Sequence, residues 1–470
     1  MASNWVQAKL GDYIDTCLGK MLDKNKNTGE YHPYLGNSNV RWGTFDLDDL
    51  AEMKFEAHEH ERYGIKKGDL IICEGGEPGR CAIWDDNIPN MKIQKALHRV
   101  RTLPGLDSEY LYYWFLFSTR AGRIDPFFTG TTIKHLTGKA LKEIPIHIPP
   151  LKYQQDVAKL LRGFDKKISH NRQINQTLEQ MAQVLFKSCF VDFDPVVDNA
   201  LDAGFFEQNI AFPDELLRRA EARRAVREHD DFKQLPEATR QLFPAAFEEC
   251  SEPSLGLGGW LPQGWKIAML DEITCELRRG VSPKYVEEGG VQVINQKCIR
   301  NHEVSYEPAR RHDHEAKKID GRELCIGDVL VNSTGVGTLG RIAQVTHLPE
   351  TTVVDSHVTV VRVKDDVCPI YTFGQLMLSM EGKIEQLGEG STGQTELSRK
   401  ILSEQLVILP PFDIAAHVEK TFKSFSEKQV SNRKQCSTLT NLRDTLLPKL
   451  ISGELRLDQI EADLAKEGMA

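Results

Sequence analysis

Three groups of residues in this 470-residue chain have the types and spacing that chemistry asks for. Leu409-Pro410-Pro411-Phe412 comes near the [Asn/Asp]-Pro-Pro-aromatic tetrad that an adenine methyltransferase uses to hold the target amine. The first residue of such a tetrad must accept a hydrogen bond, and a leucine side chain has no acceptor. The string is expected to be a strand-to-helix corner. Gly335-Val336-Gly337-Thr338-Leu339-Gly340 is a formal GxGxxG match after the strand-like Asp328-Val329-Leu330-Val331-Asn332. A dinucleotide site needs a helix next, with its N-terminus at the pyrophosphate. Arg341-Ile342-Ala343-Gln344-Val345 reads as another strand, so this segment and Gly75-Gly76-Glu77-Pro78-Gly79-Arg80 are both expected to be turns. His58 with His60, and His312 with His314, lack a third ligand at useful spacing and are expected to be solvated surface rather than a metal site. No P-loop, helicase motif or Ser-His-Asp grammar is present, so the expected catalytic, cofactor-binding and metal residues are none.

What the chain does offer is side chains suited to reading nucleic acid. Arg forks fit guanine, Asn and Gln fit adenine, and Lys, Ser and Thr hold phosphates. Turn-rich segments of the first half carry Lys20, Lys26, Asn37, Asn39, Arg41, Arg80, Gln94, Lys95, Thr131, Thr132, Lys134 and His135. The second half carries Arg278, Arg279, Lys284, Asn295, Gln296, Lys297, Arg341, His357, Ser391, Thr392 and Gln394. Gly-Arg turns and Gly-Thr/Ser-Thr loops recur in both halves, which suits phosphate positioning. Lys134-His135 and Gln394-Thr395 differ between halves, as readers of two different base sequences would.

These segments are positioned by an internal repeat of about 260 residues. Trp5 and Leu10 correspond to Trp265 and Leu270, Lys67-Gly68-Asp69-Leu70 to Ile326-Gly327-Asp328-Val329, Gly79-Arg80 to Gly340-Arg341, and Ile148-Pro149-Pro150 to Leu409-Pro410-Pro411. After each Pro-Pro the texture changes from short β-like runs to a long stretch read as helix and free of breakers. Val157, Leu161, Phe164, Ile168, Asn171, Leu178 and Leu185 fall on one stripe, and Val418, Phe422, Phe425, Gln429, Asn432, Leu439 and Leu446 repeat it 261 residues later. Such spacing is a coiled-coil seam, with a polar Asn that fixes register. Two such helices from one chain pair most simply antiparallel, because the first must return the chain to the second domain. Helices of ~30 to 35 residues would hold the two domains several nanometres apart, as a ruler.

The formal net charge of −9 speaks against nucleic acid until its distribution is considered. Between Val191 and Ser254 there are 15 acidic and 7 basic residues, so the remainder of the chain is nearly neutral and can present local basic faces. Ten cysteines without a CxxC pair read as reduced thiols. No apolar run approaches the ~20 residues that span a bilayer, and the start is no signal peptide, so a cytoplasmic protein is expected.

Gln154-Gln155 at the first helix start, Leu185-Phe186-Lys187-Ser188-Cys189-Phe190-Val191-Asp192-Phe193-Asp194-Pro195, Gly259-Trp260-Leu261-Pro262-Gln263-Gly264-Trp265, and Leu447-Pro448-Lys449-Leu450-Ile451-Ser452-Gly453-Glu454-Leu455 are similar to recurrent strings of one family. Together with the repeat, they make the chain resemble the specificity subunit of type I restriction-modification systems, from Trp5 to about Leu457. It departs at Phe412-Asp413-Ile414, where a Gln-rich opening is usual, and at Cys189, where Trp is common. The resemblance implies an α+β fold: two β-rich target recognition domains (1–150 and 260–411) separated by two long helices (151–190 and 412–457) forming an antiparallel coiled coil. An acidic, partly helical linker without chemistry (191–259) and a tail (458–470) complete it. It implies a non-catalytic subunit whose domains each read half of a split double-stranded DNA target. Two methylation subunits and restriction/translocase subunits would dock on it, bringing S-adenosylmethionine, ATP and Mg to their own sites. The competing expectations are a coiled-coil scaffold that does not touch DNA, and a modification protein with a degenerate methyltransferase centre.

Overall fold

The computed structural model describes residues 5–23, 27–388 and 396–457. It divides into two compact units, residues 1–170 with 435–470 and residues 171–434. The division falls inside both long helices, so each unit holds one sheet domain and part of each helix. This differs from the expected division into sheet domains and separate helices, because a helix segment packed on a domain shares its core.

In the first unit a four-stranded antiparallel sheet runs in the order Ile14–Leu18, Leu97–Thr102, Leu70–Cys73, Cys81–Ile83. Leu70-Ile71-Ile72-Cys73 is buried throughout, as a short continuous apolar run predicts for a strand covered on both faces. A second sheet orders Glu52–Phe55, Glu30–Leu35, Lys92–Ile93, the last pair parallel. Helix Ser108–Arg120, capped by the Asp107 carboxylate on the Tyr110 amide (2.9 Å), covers the core with Tyr110, Phe115 and Leu116. Val6–Lys9 pairs antiparallel with Pro145–Ile148, so the first and last strands of the domain lie side by side.

The second unit repeats this plan. Its sheet orders Thr274–Arg279, Val358–Val363, Val329–Asn332, Ile342–Gln344. Lys266–Met269 closes on Leu406–Leu409, and the next two residues, Pro410 and Pro411, turn the chain into a helix, as expected of that corner. The GxGxxG segment joins two antiparallel strands, Val329↔Gln344 to Val331↔Ile342, with Gly335, Gly337 and Gly340 at positive φ. Each domain also carries the same ionic clamp. Arg101 donates Nε and Nη2 to Asp69 (2.8 and 3.0 Å), and Arg362 donates the same nitrogens to Asp328 (2.6 and 2.8 Å). Each carboxylate also accepts the backbone amide three residues earlier, from Lys66 or Cys325 (both 2.8 Å), and so shapes the turn that launches the strand.

The long helices span Leu151–Phe186 and Phe412–Ser452. They are not free of breakers: Gly163 lies in open space in the first, and the second runs through Pro448 at the cost of one backbone bond. Leu447, Leu450 and Ile451, buried in the first core, hold the turns around Pro448. The helices run antiparallel within each unit. In the first, Tyr153 Oη donates to the Leu450 carbonyl (2.8 Å) and Arg443 pairs with Asp165 (2.6 Å). In the second, Phe186 stacks near Phe422 and Asn175 meets Gln429 and Asn432.

Of the expected seam, Val157, Leu161, Ile168, Asn171, Val418, Phe422, Gln429 and Asn432 are buried, while Phe164, Leu178, Leu185, Phe425, Leu439 and Leu446 are only half-buried. Late in each helix the stripe has moved on by one residue, from Leu185 to Phe186 and from Leu446 to Leu447. An α-helix has 3.6 residues per turn, so a strict 3.5-residue stripe drifts off the contact line. The polar stretch is paired: Asn432 Nδ2 donates to Asn175 Oδ1 (2.8 Å), and Gln429 Nε2 to the Asn175 carbonyl (3.1 Å).

Residues 191–259 are more than a linker. Helices Asp194–Asp202 and Asp214–Arg227 place Asp194, Asp198 and Asp202 opposite Arg219, Arg223 and Arg227, each at intervals of four, and every Asp meets its Arg. Arg240 adds a second contact to Asp202 (2.6 Å). Beneath the ladder Phe193, Val196, Val197, Phe205, Leu216, Phe247 and Trp265 share one core. Among the described residues no helix is long and apolar enough to cross a membrane.

The clamps give the first prediction. Asp328 is wholly buried and would be left as an uncompensated charge, so Arg362→Met should cost the second domain on the order of 3 kcal/mol. Thermal unfolding followed by hydrogen exchange should show the loss in the strands Val329–Asn332 and Val358–Val363. Equal protection there in the variant and the wild type would contradict it.

Candidate nucleic-acid interface

Each sheet domain gathers several of the sequence candidates through its strand order. In the first, the parallel pair Leu35↔Ile93 sends two loops out on the same side, 36–41 and 94–96. The Glu74 amide donates to the Ala96 carbonyl (2.8 Å) and the Leu136 amide to the Glu74 carbonyl (2.7 Å), which ties in loops 74–80 and 129–135. Arg80 Nη2 donates to the Asn37 carbonyl (3.0 Å), and its Nη1 is held by Glu77 (3.0 Å). Gly76, at φ +75°, passes so close that a Cβ would lie 2.7 Å from Asn37 Nδ2, and one on Gly75 would lie 3.0 Å from the His135 ring. A Cβ on Gly36 would lie 3.5 Å from Gln94 Oε1. Asn37, Gln94, Arg80 and His135 are therefore one cluster, fringed by exposed Lys95, Thr131, Thr132 and Lys134. Asn37 Oδ1 is buried without a hydrogen-bond partner among the described residues.

The second domain builds the corresponding cluster from different residues. The parallel pair Ile294↔Val354 delivers loops 295–298 and 355–357. Gln296 Nε2 donates to the Thr334 carbonyl (2.9 Å) and is bonded to its hydroxyl, which in turn contacts His357 Nδ1 (2.8 Å). Arg279 is drawn in by Glu396 (2.9 Å) and the carbonyls of Leu397 (2.7 Å) and Ser356 (3.4 Å). Arg341 Nη2 donates to the Gly337 carbonyl (2.7 Å), within the glycine turn whose tip, Val336, is 77% exposed. Lys297 is exposed beside the cluster. Arg278 gives its Nε to Glu276 (2.8 Å), and its buried Nη1 and Nη2 have no hydrogen-bond partner among the described residues.

Several candidates fall elsewhere. Lys20 is buried, its ammonium on the Lys54 carbonyl (2.9 Å) and the Glu59 carboxylate (2.5 Å) and above the Phe55 ring, so it is a core cation rather than a phosphate contact. Asn39 spends its amide on its own turn, accepting from the Gly36 amide (2.9 Å) and donating to the Asp46 carbonyl (3.0 Å). Asn295 does likewise with the Lys297 amide (2.9 Å) and the Pro308 carbonyl (3.3 Å). Arg41 is exposed but folded onto the Ser38 carbonyl (2.5 Å) and toward Asp46 (3.4 Å). Lys284 lies 3.8 Å from Asp313 beside the edge strand Tyr285–Val286. Lys26, Ser391, Thr392 and Gln394 lie outside the described residues. His312, expected at the surface, is fully buried and bonded at both ring nitrogens, to the Lys284 amide (2.9 Å) and the Lys317 carbonyl (2.9 Å). Among the described residues no cluster of three or more His, Cys, Asp or Glu could hold a metal.

Thr334, a turn residue the sequence also offered as a candidate, supplies the hydroxyl on which the second cluster turns, whereas sequence reasoning missed the carboxylates Glu77 and Glu396 that aim the arginines. Two glutamates in loops carry no signal of their own; the repeat could have suggested Glu77 through its neighbour Arg80.

Comparison with known proteins agrees with this geometry. Residues 2–180 match the type I restriction modification DNA specificity domain. The chain is 25% identical over 485 residues to the type I restriction enzyme HindI specificity subunit of Haemophilus influenzae, covering 96% of this chain and 100% of that one. It is 24% identical over 407 residues to the MjaIX specificity subunit of Methanocaldococcus jannaschii, covering 84% and 79%. The fold is similar to the crystal structure of a type I restriction-modification S subunit from M. genitalium, with a TM-score of 0.53 at 17% identity over 95% of this chain and 96% of that one. With its repeated sheet domains, antiparallel helices and loop clusters, the chain is similar over nearly its whole length to specificity subunits of type I restriction-modification systems.

Proposed function

We propose that the chain is the sequence-reading subunit of a type I restriction-modification complex, recognising a bipartite duplex target and contributing no catalysis. The carrying observation is the pair of loop clusters. They occupy equivalent places on repeated scaffolds yet present different groups, Asn37, Gln94 and His135 in one and Gln296, Arg279 and His357 in the other. A scaffold held constant with its tips changed is what two unlike half-sites require. Phosphate positioning falls to the exposed Lys95, Lys134 and Lys297 and to Thr131 and Thr132, while the clustered amides and arginines face base edges. The antiparallel helices set the gap between half-sites. Two methylation subunits dock on the helices and the folded 191–259 segment, and restriction/translocase subunits join them. S-adenosylmethionine, ATP and Mg belong to those partners, and the assembly works in the cytoplasm.

Methylome sequencing of a host without its own adenine methylation, carrying this chain with its methylation subunit, tests the reading. One split motif around a fixed gap should become N6-methylated only when this chain is present. Methylation unchanged by deleting the chain would leave it a scaffold. Within such a complex, Lys297→Ala should reduce the salt slope of DNA binding by about one and weaken binding uniformly across sequences. Lys20→Met should instead lower the stability of the first domain while leaving the slope intact, because its ammonium is spent inside the fold. A salt slope changed by Lys20→Met but not by Lys297→Ala would reverse the assignment.

A further inference from the structure

Two hairpins occupy the same place in the repeat. In the first domain Val40↔Phe45 and Arg41↔Thr44 enclose the loop Trp42-Gly43; in the second Ile299↔Val304 and Arg300↔Glu303 enclose Asn301-His302. Gly43 has φ +73°, a value glycine adopts freely. At the matching position His302 has φ +59°, and Asn301 before it has φ +53°. Two-residue loops with both residues at positive φ favour Asn-Gly, so Asn301 suits its place, while His302, a type met at positive φ more often than most, is still costlier there than the glycine of the first hairpin. A side chain kept in a conformation that disfavours it is one the structure uses.

Its use is visible. His302 Nδ1 lies 3.2 Å from Glu179 on the first long helix, and Nε2 is hydrogen-bonded to Glu381 at the start of helix Glu381–Glu385. The other Glu381 oxygen accepts the Ile342 amide (3.2 Å), which anchors it to the sheet. Gln183 donates to Glu179 (3.0 Å), and Gln429 of the second long helix reaches its other oxygen (3.4 Å). One residue along, Glu303 forms an ion pair with Arg433 of the second long helix (2.8 Å). The hairpin tip thus holds both helices at once. Hydrogen bonds to Glu179 and Glu381 push the imidazole up to about 9, and Gln183 Nε2 also lies 3.0 Å from Nδ1. Burial opposes an ionised Glu179, but the bonds from His302 and Gln183 keep its carboxyl below the usual range.

The hairpin begins at Ile299, two residues after Lys297 and directly after the loop carrying Gln296. We propose that His302 is a positioning residue that fixes the bearing of the second recognition domain on the helix pair, so that its base-reading loops meet the DNA at one gap only. This rests on the bipartite reading given above.

The test uses the full chain assembled with its methylation subunits and a series of duplexes whose half-sites are separated by the natural gap or by one base pair more or less. His302→Gly relaxes the turn, which offsets part of the cost of leaving Glu179 and Glu381 without their partner, and thermal unfolding of the variant is compared with the wild type. The variant should reduce the preference for the natural gap by about tenfold while each half-site keeps its sequence preference. His302→Lys, which keeps a cation between the two carboxylates, should restore most of the preference. The wild-type preference should be full below pH 6.5, hold near neutrality and decline as pH rises through about 9, because a raised histidine pKa makes the contact one that is lost on deprotonation. The other charged groups facing His302 are Glu179, Glu381, Glu303 and Arg433, none of an ordinary type that titrates between pH 7 and 10. A His302→Gly complex as gap-selective as the wild type, or one that loses methylation equally at every gap, overturns the proposal. A wild-type complex without any gap preference would instead overturn the bipartite reading beneath it.

Discussion

The closing strand pair of each domain is the constraint on which the rest depends. Because Val6–Lys9 lies against Pro145–Ile148, and Lys266–Met269 against Leu406–Leu409, the chain enters and leaves each domain at one place. Backbone ladders fix those ends, and the two prolines after each exit strand cannot extend the ladder, so the chain must turn there into helix. Each domain is thereby an elaborate loop set on a helix, and its own loops project from the sheets. The helix starts are secured differently. In the first unit buried Gln154 accepts the Asp107 amide (2.8 Å) and donates to the carbonyls of Gly105 (2.9 Å) and Pro149 (2.8 Å). In the second, where Phe412-Asp413-Ile414 replaces a Gln-rich opening, Glu419 takes that part. Its carboxylate accepts the amides of Tyr371 (3.0 Å) and Thr372 (2.7 Å) at the N-terminus of helix Ile370–Ser379. An acid at a helix start is favourable for the same reason as a cap. The departure is therefore a change of partner, with the joint conserved in kind.

The acidic balance of the chain is reconciled with exposed basic loop tips by where the charge goes. The three aspartates of helix Asp194–Asp202 are matched rung by rung to three arginines, so that part of the negative charge is spent on holding two helices together. Near the loop clusters the opposite economy holds. Glu77 and Glu396 restrain Arg80 and Arg279, holding each guanidinium in one orientation, while the lysines at the tips remain exposed.

What could be read from sequence was whatever repeats or breaks. The Pro-Pro corners, the glycine turn, the buried strand runs and the long helices each carry a local signature in residue type and spacing. Their positions follow from an offset that any reader can count. What could not be read depends on a partner distant in sequence. Lys20 looks like a loop lysine until Glu59 and Lys54 are brought beneath it, and His312 like a surface histidine until a neighbouring strand delivers Lys284. The segment 191–259 reads as polar because its arginines and aspartates are counted one by one, yet their shared interval of four is the signature of the ladder. Leu178 and Leu185 drift off the seam because a heptad count ignores the extra tenth of a residue in each helical turn.

The repeat also explains how one scaffold can carry two unlike loop clusters without redesign. The parts that make a fold are duplicated almost atom for atom: the Arg101–Asp69 and Arg362–Asp328 clamps use the same nitrogens, the same oxygens and the same turn amide. Each clamp fixes the strand that leads to a glycine turn, and each parallel strand pair fixes the loop beside it. Beyond those anchors the loops are free to differ, Asn37 facing Gly76 in one domain and Gln296 bonded to Thr334 in the other. A substitution at such a tip changes donors and acceptors without disturbing a ladder or a core, so the tips can vary while stability is held by residues away from them.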